Sequence, residues 1–240
     1  MISHAPAAAR RPVASVAIQA AAADAFDRMF LLDSPGATEI VMVRHGEPDF
    51  RTAIKTGNPD TPLTERGRCQ AMRLAMRLRA EQIDAIYTST ARAALETAAV
   101  VAAAKDMPMI RAPQLAGVAC NDNVILKAAD HQKLVAEMSV RFMNNPRWDA
   151  IRTFEPSRQF RYRAIQTVEA IVSRHAGERV VLVTHEAVMN AYLSMVLGVD
   201  RDMFYMPQHA SISTVRLLRD TYGVQNLNDC SHLMRTFAPK

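Results

Sequence analysis

Two short apolar runs, each rich in β-branched residues and each ending in a histidine, constrain this chain more than any other feature. The first is Glu39-Ile-Val-Met-Val-Arg-His-Gly-Glu47 and the second Arg179-Val-Val-Leu-Val-Thr-His185. Runs so short and so uniformly apolar suit strands covered on both faces, as in a parallel sheet held between helix layers. In open α/β sheets ligands bind at the carboxyl ends of the strands. Arg44, His45 and His185 therefore fall at one sheet edge, where they face a common ligand. An arginine fork beside an imidazole is a pairing that phosphate chemistry uses.

The rest of the pattern supports that sheet. Gly46 and Pro48 close the first strand, and residues 47–63, with Pro48, Gly57-Asn58-Pro59-Asp60 and Pro62, read as a loop. Thr64 is the expected N-cap of a helix to about Ala80, with Met72, Ala75, Met76 and Leu78 on its apolar face. A strand over Ile83 to Tyr87 leads through Thr88-Ser89-Thr90, a choice of N-caps, into an alanine-rich helix through Ala104. A third strand is expected at Met109 to Arg111, a helix at Ser157 to His175, a strand at Val180 to Thr184, and a helix at Glu186 to Leu197. Ile212 to Leu218 and Val224 to Leu227 suggest a closing hairpin. This alternation predicts an α/β fold, a three-layer α/β/α sandwich with a mostly parallel central sheet. Residues 112–157 read as a small helical insertion lying over it.

With 240 residues and 49% hydrophobic content the chain suits one domain, taken as 38–240, after an extension 1–37 read as a tail plus a short helix. No run approaches the ~18 apolar residues of a membrane span, so no membrane partner is expected. The net charge of +5 comes from scattered arginines without a basic run, which argues against nucleic acid and suits a small anionic substrate. Cys69, Cys120 and Cys230 have neither disulfide-framework nor zinc spacing, and reduced thiols fit a cytoplasmic protein. Arg10-Arg11 before the weakly apolar Val13 to Phe26 keeps an export leader open as the alternative, although Ser15, Gln19 and Asp24 interrupt it. A homo-oligomer is left open.

Four segments in order carry a resemblance: Arg44-His-Gly-Glu47, Asp60-Thr-Pro-Leu-Thr-Glu-Arg-Gly-Arg-Cys-Gln-Ala71, Thr184-His185, and Gln208-His-Ala-Ser-Ile-Ser213 with Leu227-Asn-Asp-Cys-Ser-His-Leu233. From about Thr38 to Leu233 the chain resembles the histidine phosphatase superfamily, in its phosphoglycerate-mutase-like branch. The resemblance implies a phosphohistidine mechanism that needs no metal and no other cofactor, acting on a small phosphorylated substrate. His45 would attack phosphorus in line, a neutral imidazole being a good nucleophile. Arg44 and His185, with Arg92, would hold the phosphoryl oxygens; Arg51, Glu47, Glu186 and His209 are the candidates for the rest of the substrate site. The family's phosphoglycerate mutases have a longer insertion and tail, so hydrolysis is expected rather than mutase chemistry.

Three departures bear on catalysis. The family's second arginine occurs in S-x-L-x-R-A-x-x-T-A, whereas this chain reads Ser89-Thr-Ala-Arg-Ala-Ala-Leu-Glu-Thr-Ala98. Arg92 thus arrives one residue early, a turn of about 100° on a helix. The glutamate that usually protonates the leaving group is replaced in Pro113-Gln-Leu-Ala-Gly117 by glycine, which makes Asp122 the nearby candidate acid. Glu186 stands where the family has glycine, so it either points away on its helix or brings a carboxylate into the phosphate site as a substitute acid or a competitor. A rival of another class follows: a slowed family member that binds a phosphorylated ligand or a protein partner.

Overall fold

The computed structural model describes residues 25–32, 34–56, 58–119, 136, 139–150 and 154–234. Among these, β1 (Thr38–Arg44), β2 (Ala85–Thr88), β3 (Met109–Arg111), β4 (Arg179–Thr184), β5 (Ile212–Leu218) and β6 (Thr221–Asp229) form one sheet in the order β3-β2-β4-β1-β5-β6. The first four are parallel; β5 runs antiparallel to β1 and pairs with β6 as a hairpin. The principal helices are α1 (Phe50–Thr56), α2 (Glu65–Leu78), α3 (Arg92–Lys105), α4 (Ser157–Arg174) and α5 (Glu186–Leu197).

Alternation along the strands divides the core in two. Ile40, Met42 and Leu182 pack with Phe160 and Val168 of α4 and Tyr192 and Leu193 of α5. Val41, Val43, Val181 and Val183 face the other way, onto Leu74 and Leu78 of α2 and Ala98 and Val101 of α3. The sheet is thus covered on both sides, which is the three-layer arrangement expected. Burying each of these strand side chains is worth about 1.5–3 kcal/mol, so β1 and β4 rigidly support the residues at their carboxyl ends.

Local details differ from the sequence reading where neighbours override pattern. Within the expected loop 47–63, Phe50–Thr56 is helical, with Asp49 Oδ1 accepting from the backbone of Arg51 and Thr52. On α2 the buried face is Gly67, Ala71, Leu74, Ala75 and Leu78, whereas Met72 and Met76 are 51% and 75% exposed. The stripe follows small residues because α2 lies close against α3, and methionine there would force the helices apart. None of Thr88, Ser89 and Thr90 caps α3: its N-cap is Ala91, and Asp60 Oδ1, 2.7 Å away, accepts from the Arg92 N–H instead. β6 extends beyond the expected strand to Thr221–Asp229. In the 112–157 segment Pro113–Leu115 and Trp148–Ala150 are single 3-10 turns and residues 139–144 are helical. Residues 1–24, with Arg10-Arg11 and most of the Val13 to Phe26 stretch, lie outside the described residues, as do Cys120 and Asp122. No helix among the described residues is long and apolar enough to cross a membrane.

Candidate active site

The β1–β4 register builds the centre of the site. Arg44 pairs with Thr184, and the His45 N–H continues the ladder to the Thr184 carbonyl at 2.9 Å. Two adjacent parallel strands therefore end together, and the next residue of each, His45 and His185, projects from the same edge with ring centroids 4.9 Å apart. His45 is buried, at 6% exposure, and its Nδ1 is 2.7 Å from the Gly46 carbonyl. A carbonyl only accepts, so Nδ1 carries the proton and Nε2 keeps its lone pair. Burial first, then the neighbouring His185 and Arg44, lower the pKa to about 4, so at neutral pH the imidazole is uncharged.

The turn after β1 is fixed from two helices. The Gly46 N–H donates to Thr97 Oγ1 on α3 at 3.0 Å. Gly67 on α2 lies against the Glu47 backbone so closely that a Cβ at position 67 would stand 2.2 Å from the Glu47 oxygen. Only glycine permits that approach.

His185 occupies the N-cap of α5, and its Nε2 is 2.9 Å from Ser89 Oγ at the end of β2. Burial lowers its pKa to about 4 against the opposing pull of Glu186. Gly117 forms a wall of the site: a Cβ there would be 3.4 Å from the His185 ring. Arg163 of α4 holds that wall, donating to the carbonyls of Gln114, Ala116 and Gly117 and forming a two-point ion pair with Glu155. Arg163 was not anticipated from the sequence, where one more arginine on an amphipathic helix carries no signal.

Arg44 and Glu186 meet inside the site. Arg44 donates through Nη1 to the Pro207 carbonyl at 2.8 Å, and its Nε is 3.0 Å from Glu186 Oε2. The glutamate thus points inward. Burial disfavours its charge, but Arg44, then His45, its own backbone N–H and His185, outweigh that and keep its pKa below the ordinary value. His209 completes the cluster, with its ring 5.5 Å from that of His45 and Nδ1 3.3 Å from the His45 carbonyl; burial and Arg44 lower its pKa to about 4. The segment carrying Pro207 and His209 is anchored by Asn190, buried on α5. Its Nδ2 donates to the Glu186 and Tyr205 carbonyls and its Oδ1 accepts from the Phe204 and Tyr205 amides. An asparagine in the sequence of a helix gave no hint of this clamp.

His209 also borders a cleft of about 650 Å³ whose walls include Glu47, Asp49, Phe50, Arg51 and Arg68. Arg51 stands at its exposed rim, and Glu47 accepts from Thr64 Oγ1 at 2.9 Å and pairs with Arg66 at 3.4 Å. Arg92 is not brought to the cluster. It is the first residue of α3 and its side chain, 56% exposed, pairs with Glu96 at 3.0 Å, while the next residue, Ala93, is buried. The one-residue slip is thus expressed as the roughly 100° rotation a helix imposes. Asp122 lies outside the described residues. Among the described residues no three His, Cys, Asp or Glu side chains are grouped to hold a metal ion.

The histidine phosphatase superfamily (branch 1) matches residues 40–230. The chain belongs to that superfamily. It is 31% identical to phosphoglycerate mutase-like protein 4 of Arabidopsis thaliana, over 82% of this chain and 88% of that one. It is 30% identical to the metal-independent phosphoserine phosphatase of the same plant, over 82% and 83% of the two chains. Among solved structures, Bacillus stearothermophilus YhfR superimposes with a TM-score of 0.73 at 30% identity, covering 82% of this chain and all of that one. In this member of the superfamily the strand ends bring Arg44, His45 and His185, far apart in the sequence, into one cluster.

Proposed function

We propose that the protein hydrolyses phosphomonoesters of small metabolites through a phosphohistidine on His45, without a metal ion. The observation that carries this reading is the His45 ring itself: buried, uncharged, with Nδ1 tied to the Gly46 carbonyl and Nε2 left as nucleophile. His185 and the Arg44 guanidinium flank it as donors for the phosphoryl oxygens, and Ser89 orients His185. Attack by Nε2 breaks the ester P–O bond, and water then transfers the phosphoryl group to give inorganic phosphate. The cleft beside His209 and Arg51 has the size for a metabolite rather than a macromolecule. Two phosphoserine phosphatases among the relatives, the plant enzyme and one from Hydrogenobacter thermophilus at 26% identity, support a small phosphorylated substrate of that kind.

The test is phosphate release from an aryl phosphate in the presence of a chelator, comparing the native protein with His45→Ala. An aryl leaving group needs little protonation and therefore reports on the nucleophile. Turnover that withstands the chelator and disappears in His45→Ala is expected. Turnover that survives the substitution, or that the chelator removes, refutes the mechanism. The Arg44–Glu186 pair and the outward Arg92 favour a second reading, a slowed phosphoryl binder, which the same assay separates: tungstate binds, but the native protein releases no phosphate.

A further inference from the structure

The Glu186 carboxylate occupies the guanidinium on which a phosphoryl oxygen would have to sit. Its Oε2 is 3.0 Å from Arg44 Nε, yet that N–H is buried and makes no hydrogen bond in the required direction. The pair is a contact of charges rather than an aligned hydrogen bond, so Glu186 neutralises Arg44 without satisfying its Nε–H. Glu186 is fixed at the first position of α5, where Asn190 holds its carbonyl, so its backbone does not move away when a ligand enters.

The other titratable groups around this carboxylate do not compete with Arg44. His45 follows β1, His185 caps α5 and His209 precedes β5; all three have pKa values lowered to about 4 and are uncharged at neutral pH. Tyr205, on the segment clamped to α5, is pushed up to about 12 by burial and is uncharged as well. Arg163 of α4 reaches the His185 side of the site but is already paired with Glu155. Among the described residues Arg44 is therefore the cation that keeps Glu186 ionised at neutral pH; His45 and His185 add to it only near pH 4, where their rings charge. When a dianionic oxyanion takes Arg44, the carboxylate is left buried beside like charge, and both effects favour its protonated form.

We infer that oxyanion binding at this site is coupled to uptake of one proton by Glu186, so that the loaded site carries its own acid in place of the carboxyl that Gly117 lacks. The inference rests on the phosphatase reading and deepens it. In hydrolysis the Glu186 proton passes to the ester oxygen as His45 Nε2 bonds to phosphorus and the P–O bond breaks, giving the free alcohol and a carboxylate. Water then attacks the phosphohistidine, its proton returns to Glu186, and hydrogen phosphate leaves with His45 restored. Glu186 thereby selects ligands by protonation, admitting a doubly charged phosphoryl group together with one proton.

Tungstate tests this, because it stays a dianion in the range used. Its binding is measured by calorimetry in two buffers of different ionisation enthalpy, from about pH 6 to pH 8, for the native protein and Glu186→Gln. Uptake of one proton per tungstate, with affinity falling about tenfold per pH unit in the native protein, is expected. In Glu186→Gln the uptake disappears and affinity becomes independent of pH. Native binding without proton uptake overturns the inference and leaves the phosphatase reading standing; so does uptake that persists in Glu186→Gln. If Glu186→Gln does not fold, the native two-buffer measurement decides alone. Absence of tungstate binding also overturns it, and if aryl phosphate turnover is absent too, the phosphatase reading falls with it.

Discussion

Gly67→Ala is the substitution whose outcome most separates local propensity from tertiary packing. Gly67 lies within α2, where replacing glycine by alanine ordinarily stabilises a helix by about 1 kcal/mol. Here the new Cβ would stand 2.2 Å from the Glu47 oxygen and 3.0 Å from its nitrogen, both backbone atoms. Relief requires a shift of roughly 1 Å. The backbone at Glu47 resists it, since its N–H donates to Gln70 Oε1 and its carbonyl accepts from the Thr64 N–H, each at 2.9 Å. Overpacking of this kind costs about 1–3 kcal/mol; against the helix gain, a net loss of up to about 2 kcal/mol remains, or up to some 8 °C in Tm for a chain of this size. The same displacement reaches Gly46, whose carbonyl fixes the His45 tautomer. A misplacement near 1 Å lowers catalysis by about 10²-fold. Urea unfolding and aryl phosphate turnover measure the two effects. A variant with a raised denaturation midpoint and native turnover would refute the packing argument.

Three further outcomes are expected. Arg92→Ala changes kcat/KM for an aryl phosphate by no more than about twofold and stability by about 0.5 kcal/mol at most, the worth of an exposed helical ion pair with Glu96; a larger kinetic loss would mean that Arg92 reaches the phosphate. His45, lowered to about 4, stays uncharged by NMR at pH 5.5, and a midpoint near 6.5 would contradict its burial. Because its folded pKa lies below the unfolded value of about 6.5, its contribution of about 3 kcal/mol is present above that value and is lost as pH falls towards 4. Asn190→Leu strands the Phe204 and Tyr205 amides and costs about 2–6 kcal/mol, judged from about 1–3 kcal/mol per buried unsatisfied group; urea unfolding reads the loss, amide exchange at 204 and 205 should accelerate, and a cost below about 1 kcal/mol would show that the clamp is dispensable.

The order of residues alone dictated the sheet, because its signal is local. Ile40 to Val43 and Val180 to Val183 are apolar on both faces, and such runs are stable only between two helix layers. The same local signal dictated that His45 and His185 share an edge, since parallel strands that end in histidine project both rings the same way. Side-chain direction lay beyond it. Whether Glu186 faced in or out depended on where the segment clamped by Asn190 placed Pro207 and Arg44, a contact made across distant stretches of chain. The exact start of α3 decided Arg92: with Ala91 as the cap, the helix turns Ala93 inward and sends the arginine to Glu96. The buried stripe of α2 likewise shifted from Met72 and Met76 to the small residues that let α2 and α3 approach. Hydrophobic periodicity fixes which elements form and which ends they share. The rotation of each helix about its axis, and so which polar groups meet at the site, is set by packing partners far away in the chain.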